Sequence, residues 1–238
     1  MKTNFLPLLS LLFALLLCPA LEAQTYERSF GLELAAHNGG SRISSGGGLG
    51  QLQLERQDSI ESGLGGYTFG LLFESRADKI GFTTGLRYLR TGYEVVEDGF
   101  DGPTVGMDTR EEITAQYLEL PFEINFHQDI TEKNRALFML GVAANLHLGT
   151  KTERSTRLDG VEQGTVELPE DPERVLRPVI LSLNTGIGFD RKLSENWAVR
   201  VQPYFRFFLQ GNLQANFDQL NRNYYQTGVR VALRRTFL

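Results

Sequence analysis

The stretch at residues 115–127, A-Q-Y-L-E-L-P-F-E-I-N-F-H, constrains the fold of this chain more than any other. From Leu118 to Phe126 every second side chain is leucine, isoleucine or phenylalanine, and the positions between them include Glu119 and Glu123. Successive side chains of a strand point to opposite faces, whereas helical spacing would scatter these residues around a cylinder. The stretch therefore predicts a strand that separates an apolar environment from a polar one.

Seven further segments repeat this alternation. With 115–127 they make eight predicted strands, at 30–37, 67–74, 80–89, 115–127, 136–148, 179–190, 197–209 and 224–238. Long polar connections follow the first, third, fifth and seventh strands, and short ones follow the second, fourth and sixth. Such asymmetry is typical of a barrel with tight periplasmic turns on one rim and long extracellular loops on the other. An even number of antiparallel strands can also close without leaving an edge.

The first 23 residues predict a cleaved signal peptide, which leaves residues 24–238 as one barrel domain. Lys2 gives a basic start, residues 5–17 are apolar, and Ala23 is a small residue at the cleavage position. The single cysteine, Cys18, lies inside this segment after Leu17 rather than after a small residue, which disfavours a lipid anchor. The mature chain would then contain no thiol.

The charge of the chain argues against a nucleic-acid partner. Removing Lys2 and Glu22 leaves 23 basic and 28 acidic residues, a net charge of −5, and no basic tract is present.

Alternation alone does not say which face of the barrel is outside. A soluble barrel of the lipocalin kind would enclose its apolar face around a ligand, and a membrane barrel would expose it to lipid. Glycines on the polar face, which weaken a strand, suit a cramped interior. Arginine on the lipid face costs about 2–4 kcal/mol near the bilayer midplane, so the arginines of the last two strands should point inward. Apolar and aromatic side chains beside the short turns suit a membrane interface; they are Phe73, Ile80, Phe189 and Trp197.

The polar face would place nine charged side chains inside a narrow lumen. They are Glu33, Glu74, Arg87, Glu119, Glu123, Arg200, Arg206, Arg230 and Arg234. An eight-stranded barrel is just wide enough to be filled by side chains, and lone buried charges are costly. We therefore expect a closed, ion-paired plug; a gated ion or proton path along these charges is the alternative.

The sequence offers little sign of catalysis. Four residues of strand separate Glu119 from Glu123 by about 13 Å, which is farther than a pair of glycosidase carboxylates. Pro121 between them lacks an N–H group, so we expect a bulge or bend there. The histidines, His37, His127 and His147, are predicted at the rims without an H-x-S arrangement. No cluster has the spacing of metal ligands, and we expect no catalytic, cofactor or metal site.

Two motifs carry a resemblance to a known family. The final residues, T-G-V-R-V-A-L-R-R-T-F-L, resemble the closing strand of bacterial outer-membrane barrels, in which an aromatic residue at or next to the C-terminus is associated with recognition by the barrel-assembly machinery. Phe237 and Leu238 would be this signal. Residues 117–121, Y-L-E-L-P, resemble the Y-[LI]-E-[LI]-P motif of PorT-like barrels of the Bacteroidota. The resemblance implies a Gram-negative outer membrane.

The sequence thus predicts an all-β, eight-stranded antiparallel up-and-down transmembrane β-barrel that is not an enzyme. Its expected partners are outer-membrane lipid and lipopolysaccharide, the assembly machinery, and an extracellular ligand bound through the loops. The expected role is structural or surface interaction. The alternatives are a lipid-A-modifying barrel enzyme and a component of a secretion or assembly machine.

Overall fold

The computed structural model describes residues 26–45, 50–98, 107–159, 161–169, 176–214 and 220–237. The predicted signal peptide, Cys18 and Leu238 lie outside these residues. The described chain forms nine strands and one helix. They are β1 (Tyr26–Ser45), α1 (Gln51–Ile60), β2 (Glu61–Ala77), β3 (Ile80–Asp98), β4 (Met107–Asp129), β5 (Asn134–Leu158), β6 (Val161–Leu168), β7 (Val179–Lys192), β8 (Trp197–Phe208) and β9 (Leu220–Phe237).

Eight of these strands close into a ring of antiparallel pairs. Each pairs with the next ring strand along the chain, β5 pairs with β7, and β9 returns to pair with β1. The ninth strand, β6, folds back on β5 alone within the described chain. The predicted eight-stranded up-and-down barrel is therefore confirmed, with one additional strand outside the ring. No helix in the described ranges is long and apolar enough to cross a membrane.

The ring strands extend far beyond the predicted segments. Strands β3, β4 and β5 contain 19, 23 and 25 residues, whereas about 9–11 residues cross a bilayer. Much of what the sequence predicted as long loops is therefore strand, and α1 lies in the first of them. Cross-strand pairs such as Arg154 with Glu111, whose Nε and Oε1 atoms lie 2.7 Å apart, hold the extensions together. We call this side of the barrel the extended end, and the side with the short turns the turn end.

The irregularity predicted at Pro121 is only partly found. The β3–β4 ladder is interrupted beside Pro121, between the pairs Thr84–Phe122 and Arg87–Glu119, but its register is the same on both sides. A true shift occurs elsewhere, because Leu148 is an extra residue in β5. The missing N–H of proline removes a hydrogen bond without inserting a residue, whereas a bulge needs that insertion.

Glycines on the inner face make room for the large side chains of neighbouring strands. A Cβ atom on Gly70 would lie 2.7 Å from the Cα of Arg87. A Cβ on Gly141 would lie 2.7 Å from both the Cγ of Glu123 and the carbonyl oxygen of Phe122. Real Cβ atoms do not approach other atoms so closely, so these glycines allow charged side chains to fit inside the narrow ring.

We expect the substitution Gly141→Ala to destabilise the barrel by about 1–3 kcal/mol, because the added methyl group overpacks the lumen against β4. Gly149→Ala is the matched control on the same strand, since its Cβ would meet nothing within 4 Å. Urea unfolding in lipid vesicles measures both changes. Equal stability of the two variants would contradict the close approach at Gly141.

Candidate functional site

The outer surface of the ring carries a continuous belt of apolar side chains. Mid-strand residues such as Leu32 and Phe122 are 63% and 60% exposed. Contact of so large a continuous apolar surface with water would be unfavourable. Aromatic residues border the belt at both ends. Those at the turn end are Phe126, Phe138, Phe189, Trp197 and Phe237, and those at the extended end are Tyr67, Phe69, Tyr88 and Tyr225. The predicted outward orientation of the apolar face is therefore confirmed.

Arg87 lies at the centre of the lumen and binds three carboxylates. Its Nε atom is 2.8 Å from Glu33 Oε1, and its Nη1 atom is 2.9 Å from Glu119 Oε1 and 2.8 Å from Glu123 Oε1. The side chain is completely buried. Its planar guanidinium suits this arrangement, since it presents several donors in fixed directions.

Two more arginines complete the central cluster. Arg230 lies 3.1 Å from Glu123 and 3.2 Å from Glu33, and Arg206 Nη2 lies 2.6 Å from Glu119 Oε2. Both guanidinium groups also lie against the ring of Tyr204, at 4.9 Å for Arg230 and 5.6 Å for Arg206.

A second cluster fills the lumen nearer the turn end. Arg200 Nη1 lies 2.8 Å from Glu74 Oε2 and its Nε lies 2.7 Å from Asp190 Oδ1. Arg234 binds the same two carboxylates, with Nη1 at 2.7 Å from Glu74 Oε1. The ring of His127 lies 3.6 Å from Glu74.

All nine charged residues predicted for the lumen lie inside it and take part in these two clusters. The sequence prediction omitted Asp190, although this residue has the same strand parity as Gly186 and Gly188 on the inner face of β7. With Asp190, five carboxylates face five guanidinium groups, so the charges of the two clusters balance. The network is balanced and buried, and its side chains occupy the inside of the ring.

The predicted separation of Glu119 and Glu123 is wrong for their carboxylates. The backbone distance of about 13 Å holds along the strand, but both side chains bend to one atom, Nη1 of Arg87. Their oxygens are therefore closer together than the sum of 2.9 and 2.8 Å. The pair is still unsuited to hydrolysis, because Arg87 occupies the space between the carboxylates and all three side chains are buried.

An aromatic layer lies inside the lumen above the central cluster, toward the extended end. It consists of Tyr93, Tyr117, Phe208 and Tyr224. The ring centroids are 5.6 Å apart for Tyr117 and Phe208, 5.7 Å for Phe208 and Tyr224, and 6.2 Å for Tyr224 and Tyr93. Each of these residues is at most 2% exposed. No sequence pattern predicts this layer, since its members come from four different strands.

An apolar belt outside, charges inside and a closed ring satisfy every requirement of a bilayer-spanning barrel, including the absence of a free sheet edge within the belt. The chain is a transmembrane β-barrel of the outer-membrane type.

Several small barrels of bacterial outer membranes have similar structures. Neisserial surface protein A matches 86% of this chain and 96% of its own, with 11% identity and a TM-score of 0.43. OprG from Pseudomonas aeruginosa matches 90% of this chain and 97% of its own, with 14% identity and a TM-score of 0.45. Ail from Yersinia pestis matches 87% of this chain and 97% of its own, with 13% identity and a TM-score of 0.30. No protein-family model and no curated protein matches the sequence. Such low identities say nothing about activity.

A vestibule opens above the aromatic layer at the extended end. It has a volume of about 280 Å³. Its walls are Tyr93, Glu111, Ile113, Thr150, Thr152, Arg154, Leu168, Pro169, Leu176, Asn212, Leu213 and Arg222. At its floor the Arg222 guanidinium lies 4.5 Å above the Tyr93 ring and binds Glu61. Burial would lower the pKa of Arg222, but Tyr93 and Glu61 outweigh burial and raise it, so this group stays charged. The vestibule thus offers apolar and hydrogen-bonding walls together.

The three histidines have different surroundings. His37 is buried, with Nδ1 at 3.1 Å from the Tyr204 hydroxyl, and His127 is buried beside the turn-end cluster. His147 Nε2 lies 2.8 Å from Thr150 Oγ1. These two residues share the inner face only because the extra residue Leu148 shifts the alternation of β5. Over the described ranges, no three histidine, cysteine, aspartate or glutamate residues are placed to hold a metal ion.

Proposed function

We propose that this chain is a closed barrel of the Gram-negative outer membrane that interacts with an extracellular partner through its extended end. The short turns would lie in the periplasm and the extensions outside the cell, as the usual asymmetry of such barrels requires. The observations that carry the proposal are the balanced ion pairs inside the lumen and the buried aromatic layer above them, which together would close it. A sealed barrel leaves the vestibule and the extended strands as the surfaces available for recognition.

The proposed closure predicts that the purified barrel gives no stable conductance in planar lipid bilayers, because no continuous aqueous path passes the two clusters and the aromatic layer. The control is Phe208→Gly combined with Tyr117→Gly, which opens the aromatic layer but keeps the ion pairs; it should remain closed. Stable single-channel steps from the unaltered protein would contradict the plug and favour a gated ion path.

The proposed orientation can be tested with single cysteines, because residues 24–238 contain none. Gln163→Cys lies on the exposed strand β6 at the extended end, and Glu132→Cys lies in the exposed turn before β5. A membrane-impermeant maleimide added to intact cells should label the first variant and not the second. Both should react once the outer membrane is made permeable. Labelling of Glu132→Cys on intact cells would invert the proposed topology.

We also propose that the chain is a PorT-like barrel, on the strength of residues 117–121. Three residues of this motif have a place in the barrel. Tyr117 lies in the aromatic layer, Glu119 binds Arg87 and Arg206, and the β3–β4 ladder is interrupted beside Pro121. The motif is therefore accounted for by the interior of the barrel. It supports a shared architecture and is no argument for a role in secretion. Co-purification with secretion components under mild cross-linking would be the observation that favours such a role.

One contact favours a second candidate function, hydrolysis of an acyl ester. The 2.8 Å distance between His147 Nε2 and Thr150 Oγ1 is that of a base and a nucleophile, and Thr150 lines the vestibule. The Thr150 hydroxyl oxygen would attack the ester carbonyl, and His147 would take its proton and pass it to the leaving alcohol. Water would then release the fatty acid. Fatty-acid release from lipid A that is lost in His147→Ala and Thr150→Ala, but kept in Thr152→Ala, would establish this function over the proposed one.

A further inference from the structure

We propose that the barrel binds one anionic phospholipid of the periplasmic leaflet, with the headgroup phosphate on Arg235 and an acyl chain in a groove on the apolar belt. The assignment to the periplasmic leaflet depends on the orientation proposed above. The groove and the charge of Arg235 at its end do not depend on that orientation.

The groove is a recess of about 490 Å³ in the outer surface, between the ridges formed by outward side chains. It is bordered by Phe30, Leu32, Leu71, Phe73, Leu86, Trp197, Leu233 and Arg235. All of these except Arg235 are apolar or aromatic. A recess of this lining accepts a hydrocarbon chain and offers almost nothing to a polar ligand.

The groove runs from the rim of the barrel into the belt. Trp197, Arg235, Phe30 and Phe73 form one row across β8, β9, β1 and β2, and Leu32, Leu71 and Leu86 form the next row inward. The two rows lie two residues apart along each strand, as Phe30 and Leu32 do on β1, which is about 7 Å. An acyl chain in the groove would thus extend from the interface toward the middle of the bilayer.

Arg235 supplies the positive charge that would pair with the phosphate of a phospholipid headgroup. Its side chain is exposed on the outer face, and its guanidinium lies 5.3 Å over the ring of Phe237, which fixes it at the rim. No carboxylate of the described residues lies within 4 Å of it, unlike the paired arginines of the lumen. Arg28 is exposed on the neighbouring strand β1, where it is paired in register with Phe237. Among the described residues neither of these two cations has an acidic partner, and two such cations next to an apolar groove match a headgroup that carries a net negative charge.

The test is native mass spectrometry of the detergent-purified barrel, titrated with phosphatidylglycerol or with phosphatidylcholine of the same acyl chains. The unaltered protein should retain one phosphatidylglycerol in preference to phosphatidylcholine. Arg235→Gln should weaken retention of phosphatidylglycerol by about fivefold, the effect of one arginine at a lipid surface. Lys133→Gln, which removes one positive charge from an exposed turn at the same end, should not.

A second pair of variants tests the groove independently of charge. Leu86→Trp fills the groove and should abolish the preference although Arg235 is intact. Leu140→Trp is its control, since Leu140 is equally exposed, at 45% against 44%, but lies on β5 away from the groove. Equal retention of the two lipids, or equal losses in Arg235→Gln and Lys133→Gln or in Leu86→Trp and Leu140→Trp, would overturn the site and leave only nonspecific lipid contact. None of these outcomes bears on the proposed closure of the lumen.

Discussion

Replacing Arg87 with methionine is expected to destabilise the barrel by about 3–5 kcal/mol, the effect of breaking a buried ion pair by removing one partner. Methionine keeps the apolar stem of arginine but lacks the guanidinium, so the variant loses the ion pairs with all three carboxylates. Glu33, Glu119 and Glu123 would then share Arg206 and Arg230, and one buried carboxylate would lack compensation. Urea unfolding in lipid vesicles measures the change, and the heat-resistant mobility of the folded barrel on gels reports it qualitatively.

Two further variants show whether the loss arises from the buried network. Arg154→Met removes an arginine whose ion pair with Glu111 is partly exposed, and it should change the stability by less than about 1 kcal/mol. The double variant Arg87→Met with Glu123→Gln restores the charge balance and should recover part of the loss, about 1–2 kcal/mol. If Arg87→Met were no more harmful than Arg154→Met, the central cluster would not stabilise the barrel.

The second large effect is expected on the outer surface, where lipid rather than water should determine the result. Val142 and Val166 are 48% and 63% exposed, but Val142 lies in the apolar belt beside Phe122 and Val166 lies on β6 outside the ring. Val142→Arg should destabilise the barrel by about 2–4 kcal/mol in lipid vesicles, because the guanidinium would face hydrocarbon. Val166→Arg should have almost no effect, since the same group would face water.

This pair of variants separates a membrane barrel from a soluble one directly. Both positions start from an exposed valine and receive the same side chain, so strand propensity and loss of packing are matched. In a water-soluble barrel the two substitutions would have similar effects. Similar stabilities of Val142→Arg and Val166→Arg in vesicles would therefore disprove the lipid-facing belt.

The parts of the barrel that lie in the membrane could be read from the sequence, because there each strand divides two very different environments. Leu118 to Phe126 alternate strictly, and the alternation gave the strands, the ring and the side chains that face the lumen. The extensions could not be found in this way. Residues 149–158 of β5, which the sequence predicts as loop, face water on at least one side, so apolar residues need not alternate there.

The contacts within the lumen depended on more than parity. Parity placed Glu119 and Glu123 inside, but only the folded ring shows that Arg87 draws both carboxylates to one nitrogen atom. The hydrogen bond of His147 with Thr150 depends on a single extra residue in β5, which no pattern of residue types revealed.

The amino-acid sequence is sufficient to assign the class of the protein, an antiparallel barrel with lipid outside and charge within, because a period of two records which face each side chain occupies. The pairing of the charges, the aromatic layer, the vestibule and the lipid groove are visible only in the folded barrel. These features join residues from strands that are distant in the chain, and their positions depend on barrel register and curvature, which local alternation does not encode.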